Sequence, residues 1–75
     1  MALDREALEK HLLQVNADLA LGRECIGRQR QIVADLEQSG RDTKTALVLL
    51  QEAEASQALY AAEADRLAQE LAALS

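Results

Sequence analysis

The stretch EQSGRDTK, residues 37–44, is the strongest break in a chain that otherwise favours helix. Gly40 can adopt the left-handed backbone conformation that closes the C-terminus of a helix. The side chain of Asp42 or Thr43 can then accept a hydrogen bond from the free N–H groups that begin the next helix. The stretch therefore predicts a turn at about residues 39–42, with a helix on either side of it.

The composition predicts that these helices account for the whole fold. The 75 residues include no proline, three glycines and one aromatic residue, which is little material for a packed sheet. Alanine, leucine, glutamate, glutamine and arginine dominate instead, and all of them are strong helix formers. We predict one all-α domain over residues 1–75, with helix 1 over about 4–38, capped by Asp4, and helix 2 over about 43–73.

Apolar residues recur in alternating steps of four and three in both predicted helices, which is the spacing of a coiled-coil seam. The seam of helix 1 consists of Leu8, Leu12, Val15, Leu19, Gly22, Ile26, Gln29, Val33 and Leu36. The seam of helix 2 consists of Ala46, Leu50, Ala53, Gln57, Tyr60, Ala64, Leu67, Leu71 and Leu74. Folding the chain at the turn brings the two seams together, so the pattern predicts an antiparallel two-helix hairpin.

Two departures from apolar character in the seams predict specific contacts between the helices. Gly22 lies at the height of Tyr60, so we expect the glycine to make room for a buried ring. A glycine inside a helix costs about 1 kcal/mol relative to alanine, and the packing of that ring would offset the cost. Gln29 lies near Gln57, and we expect the two amides to hydrogen-bond and to fix the register, as a buried asparagine does in zippers.

More apolar residues flank the seams than one hairpin can bury. A small two-helix core rarely supplies enough stability alone, so we predict a homodimer that forms a four-helix bundle. The expected interface residues are Ile32, Leu47, Leu49, Ala61 and Ala68. The alanine-rich surface also suits a helix of another protein. The alternative is a monomer in which the alanines serve only as helix formers.

Three arginines lie close together in helix 1, at Arg23, Arg28 and Arg30. They suggest an alternative function in nucleic-acid binding or regulation. The formal net charge of -5 repels phosphate backbones, and no aromatic residues stand beside the arginines. We expect instead that the cluster is a solvated face paired to helix 2, with Arg30 near Glu52 and Glu54.

No motif for phosphate, dinucleotide, zinc or redox chemistry occurs in the chain. His11, the single histidine, is expected on the surface, and Cys25, the single cysteine, is expected to be half-buried beside the seam. We therefore predict a non-enzymatic structural or interaction module with no catalytic residues, no cofactor and no metal site. The sequence has no secretory signal and no apolar run long enough for a bilayer, which predicts a cytoplasmic protein without membrane contact.

Residues 22–71 resemble a group of short proteins from alphaproteobacteria. The shared pattern is G-x-x-x-I-x-x-Q-x-x-I-V-x-x-L-E-x-x-G-x-D-T-x-x-A-x-x-L-L, followed by a stretch that ends D-R-L-x-x-E-L. The matching positions include Gly22, Ile26, Gln29, Gly40, Asp42, Thr43, Asp65, Arg66 and Leu67. The chain departs from the pattern at Ala61, Ala62 and Glu63, where the group has a more polar stretch. The resemblance implies two helices joined by a turn, and it implies no particular activity.

Overall fold

In the computed structural model, which describes residues 4–74, the chain forms two α-helices packed against each other as an antiparallel hairpin. Helix α1 spans Arg5–Gln38 and helix α2 spans Lys44–Ala73. The molecule is a rod with extents of 57 × 15 × 14 Å. The predicted all-α hairpin is confirmed.

The turn is built by backbone hydrogen bonds that require a glycine. The N–H of Arg41 donates to the carbonyl of Leu36 at 2.9 Å, and the N–H of Gly40 donates to the carbonyl of Glu37 at 3.1 Å. This pair of bonds is a Schellman motif, in which the residue after the helix cap takes a positive φ. Gly40 has φ +70° and meets that need without strain from a side chain.

Aspartate side chains cap the start of both helices. Asp4 accepts a hydrogen bond from the backbone N–H of Ala7 at 2.8 Å, as expected for the cap of α1. At α2 the acceptor is Asp42, which bonds to the N–H of Lys44 at 3.0 Å. Thr43 precedes the helix but makes no side-chain cap bond. The sequence left these two acceptors open, and the structure selects Asp42.

The predicted seams face each other along the rod. Every seam residue of α1 is buried or partly buried, and only Tyr60 and Leu74 of the α2 seam are exposed. Leu67 is the most buried side chain, with 1% of its surface exposed. It belongs to a cluster near the open end of the hairpin formed by Leu8, Val15, Leu19 and Leu67, against which Leu12, Ala64 and Leu71 pack.

The two seam glutamines do not bond to each other, which corrects the expected contact. The Nε2 of Gln57 donates to the backbone carbonyl of Leu19 at 2.8 Å. The Nε2 of Gln29 donates to the backbone carbonyl of Ala46 at 3.1 Å. Each helix therefore contributes one amide that bonds to the backbone of the other. These two bonds tie the helices together at the middle of the rod and nearer the turn.

Gly22 makes room for Gln57, and the expected contact with Tyr60 is wrong. A Cβ atom at Gly22 would collide with the Oε1 of Gln57 and lie 2.8 Å from its Cδ. The hydrogen bond to Leu19 holds this amide above the glycine, where it fills the space predicted for the ring. The Tyr60 side chain stays 45% exposed instead of entering the core.

Candidate interaction surfaces

Large aliphatic side chains remain exposed at the turn end of the hairpin. Leu47, Val48 and Leu49, in the first turns of α2, are 40%, 48% and 50% exposed. Ile32, in the last turns of α1, is 47% exposed. Ile32 and Leu49 flank the seam from opposite helices at similar height. We call Ile32 and Leu49 the turn-end patch. Leu47 and Val48 lie on other sides of α2, because successive helix residues are turned by about 100°. The patch contains two of the five predicted interface residues.

Two further predicted interface residues lie away from this patch. Ala61 and Ala68 are exposed on α2, about 20 and 30 Å along the helix from Leu47 at 1.5 Å per residue. They follow Leu47 at multiples of seven residues, so they continue its side of the helix towards the open end. The predicted interface thus divides into the turn-end patch and a separate surface formed by Leu47, Ala61 and Ala68.

The arginine cluster is also divided. Arg30 forms an ion pair with Glu54 of α2, with its Nη2 3.0 Å from the Oε2 of the carboxylate. Arg23 lies seven residues earlier on the same side of α1 and has no hydrogen-bond or ion-pair partner within residues 4–74. Arg28 lies on another side of the helix, where its Nη2 is 3.4 Å from the Sγ of Cys25. The expected pairing of Arg30 with Glu54 is confirmed, whereas the three arginines do not form one surface.

Arg23 and Arg30 border a concavity of about 420 Å³ on the side of the hairpin. Its lining is formed by Leu19, Arg23, Ile26, Gly27, Arg30, Gln57 and Ala61. The aliphatic carbons of Leu19, Ile26 and Ala61 supply the apolar part of this lining. The concavity therefore combines apolar side chains with two arginines.

Gly27 lies between the two arginines and has no contact that explains it. A Cβ atom built at Gly27 would meet nothing within 4 Å, in contrast to Gly22. The backbone of Gly27 is helical, so no turn requires a glycine at this position. Its helix-propensity cost of about 1 kcal/mol is not offset by packing within residues 4–74.

A second charged cluster lies near the open end, on the outside of α2. Arg66 donates to Glu63 and to Glu70, at 2.6 Å in each case. The hydrogen bond from Arg66 lowers the pKa of Glu63 below its ordinary value, and the positive charges of Arg66 and His11 act in the same direction. The bond to Glu63 raises the pKa of Arg66 in turn, with Glu70 contributing less. Arg66, Glu63 and Glu70 therefore bond to one another and stabilise α2.

The remaining candidate residues are on the surface. His11 is exposed, as expected. Cys25 is also exposed, which corrects the expectation that it is half-buried. It stands one residue before the buried Ile26, so the helical rotation turns it out of the seam. Within residues 4–74, no three His, Cys, Asp or Glu side chains are placed so that they could hold a metal ion.

Sequence interpretation missed the concavity, although one signal for it was present. The pattern R-x-x-x-G-x-x-R, from Arg23 through Gly27 to Arg30, places two cations and a glycine on one side of a helix. Arg28 is close to Arg30 in sequence but lies on a different side of α1. Helical spacing therefore predicts that Arg28 is separate from Arg23 and Arg30.

Neither α1 nor α2, as described over residues 4–74, is long and apolar enough to span a bilayer. No protein-family model, curated protein or solved structure matches the chain. The resemblance to short alphaproteobacterial proteins therefore stays a prediction.

Proposed function

We propose that the protein is a non-enzymatic interaction module that self-associates through its turn-end patch into a four-helix bundle. The hairpin supplies rigidity, and its exposed apolar surfaces supply the contacts. The alanine-lined surface around Ala61 and Ala68 lies outside the turn-end patch, so it stays available for a helix of another protein.

The exposure of the turn-end patch carries this proposal. Its two aliphatic residues keep about half of their surface accessible, with Ile32 47% and Leu49 50% exposed. The buried hydrophobic residues of the described chain are few and lie in one line between two helices, so the core is thin. Covering the patch would add apolar burial at about 25 cal/mol per Å², which a small domain needs.

A two-fold axis is the simplest way to cover this patch. In an isologous dimer the same surface of each protomer meets its own copy. Two hairpins that lie side by side with their turns at the same end would bring the two turn-end patches together. The helices would then continue as neighbours along the rod, which is the arrangement of a four-helix bundle.

Light scattering on two matched variants tests the proposal. The wild-type chain should have about twice the mass of 8.2 kDa at micromolar concentration. Leu49→Glu should shift the mass towards that of one chain, because it places a charge in the apolar contact. The control is Leu13→Glu, the same change at a residue that is 70% exposed near the open end. A monomeric wild type, or equal effects of the two variants, would refute the proposed dimer.

Nucleic-acid binding, the alternative function, has less support from the geometry. Only Arg23 and Arg30 share a surface, and Glu54 already neutralises part of that charge. A gel-shift titration with RNA over a salt series tests this alternative directly. Affinity that falls steeply with salt and depends on Arg23 would favour it over a protein partner.

A further inference from the structure

We infer that the concavity between Arg23 and Arg30 is a docking site for an acidic amphipathic helix of a partner protein. This inference rests on the proposed role as an interaction module, and it does not depend on self-association. It assigns a chemistry to the partner: two carboxylates two helical turns apart, with apolar side chains between them.

Arg23 and Arg30 would each bind one carboxylate of the partner helix. Arg23 and Arg30 are seven residues apart, which is about 10 Å along α1. Arg23 has no partner within residues 4–74, and its guanidinium group has five N–H donors to offer. Arg30 donates from Nη2 to Glu54 and retains other N–H groups for a second carboxylate. A helix lying alongside α1 presents side chains seven residues apart at the same spacing.

The floor of the site explains the otherwise unneeded glycine. Open space above Gly27 and the small side chain of Ala61 leave a shallow channel between the arginines. Glycine and alanine at a helix surface let a second helix approach closely, so its apolar side chains can reach Ile26 and Leu19. The helix-propensity cost of Gly27 is then recovered when the partner binds.

A protein helix fits this surface better than a nucleic acid does. The floor is apolar, whereas a phosphate backbone needs a continuous row of cations. The chain's one aromatic residue, Tyr60, does not line the concavity, so no stacking platform for a base is present there. The formal net charge of -5 also opposes a polyanion more strongly than it opposes a helix with two carboxylates.

The probe for the test is a synthetic helical peptide of about 20 residues, long enough to populate a helix. It carries two glutamates seven residues apart with leucine and alanine between them, and a control peptide carries glutamine at both positions. Binding is followed at low salt by the backbone amide shifts of the ¹⁵N-labelled full chain, with residues 23–30 as the reporters. We expect saturable shifts around Gly27 with the glutamate peptide, and weaker shifts with the glutamine peptide.

Three variants separate this site from non-specific attraction. Arg23→Gln should weaken binding of the glutamate peptide by a factor between about 1.4 and 5, the range for an exposed ion pair. Arg28→Gln removes the same charge from another side of α1 and should leave the affinity unchanged. Gly27→Leu should raise the melting temperature of the hairpin while it abolishes binding, because the side chain would fill the channel.

The outcomes are distinct from those of the dimer test. The peptide titration is repeated on Leu49→Glu, so that binding is measured whether or not the chain self-associates. The inference is overturned if the glutamate peptide causes no shift around Gly27, or if Arg23→Gln and Arg28→Gln weaken binding equally. RNA binding that requires Arg23, without peptide binding, would also overturn it and would restore the nucleic-acid alternative.

Discussion

The side-chain amide of Gln57 occupies the space that Gly22 leaves open on the facing helix. A Cβ atom at Gly22 would collide with the Oε1 of Gln57, whose Nε2 is held 2.8 Å from the carbonyl of Leu19. The glycine and the glutamine therefore form one unit, in which the absence of a side chain on α1 permits a hydrogen bond from α2.

A double-mutant cycle measures this coupling. Gly22→Ala gains about 1 kcal/mol of helix propensity but displaces the amide and its hydrogen bond, so we expect no net gain or a loss. In a Gln57→Ala background the obstacle is gone, and Gly22→Ala should stabilise by about 1 kcal/mol. Urea melts of the four proteins give the interaction energy. Additive effects would show that Gly22 and Gln57 are independent.

Gly27 is the matched comparison for Gly22 within the same helix. Its Cβ position faces open space, so Gly27→Ala should stabilise the hairpin by about 0.5–1 kcal/mol in any background. Thermal melts at fixed protein concentration check the value, since association changes apparent stability. A destabilised Gly27→Ala would reveal a contact at this position that the hairpin itself does not make.

The spacing of apolar residues predicted the hairpin and its buried face because both depend on helical period alone. Leu8, Val15, Leu67 and the rest of the core follow directly from steps of three and four. The contacts of Gln57 could not be predicted in this way, because a flexible amide can bond to a side chain or to a backbone carbonyl at similar height. The concavity depends on which arginines lie on the same side of α1, and their spacing in the sequence does predict this.

Acidification should weaken the hairpin through Glu63. The bond from Arg66 lowers the pKa of Glu63 in the folded chain below its ordinary value of 4.5. The carboxylate therefore contributes its full stabilisation above that ordinary value, and the contribution is lost as the pH falls through the lowered pKa. Arg66 and His11 are the groups whose positive charge lowers the pKa of Glu63.

The change Glu63→Gln tests this pH dependence. The melting temperature of the wild type should fall more steeply between about pH 5 and pH 3 than that of Glu63→Gln. Glu52→Gln serves as the control, because this carboxylate of α2 has no ion pair within residues 4–74. A variant curve parallel to that of the wild type would mean that the Arg66 contact adds nothing to folding.

The thin core makes Leu67 the most sensitive apolar position. Its side chain is 1% exposed and packs within the cluster that includes Leu8 and Leu19. Leu67→Ala should cost about 2–5 kcal/mol, which is most of the stability that a domain of this size has. Leu59→Ala, at a residue that is 73% exposed, should change stability by less than about 0.5 kcal/mol. Circular dichroism melts of the two variants check the contrast, and similar melting temperatures would contradict the position of the core.

The two interhelical amides should control register more than stability. Gln29 and Gln57 donate to the carbonyls of Ala46 and Leu19, which as helix carbonyls also accept a backbone bond, so removing the amides leaves no buried carbonyl without a partner. Replacing both glutamines with leucine adds apolar surface to the seam. We therefore expect the double variant to melt at a temperature equal to or above that of the wild type.

Loss of register should appear in the structure of that double variant instead. Leucine packs at several heights along a seam, whereas an amide bonded to one carbonyl fixes one height. We expect more than one set of amide resonances, or a mixture of masses by light scattering, where the wild type shows one. Gln51→Leu, at an exposed position of α2, is the control and should keep a single set of resonances. A uniform spectrum and a single mass for the double variant would assign the register to the turn at Gly40 and to the leucine packing alone.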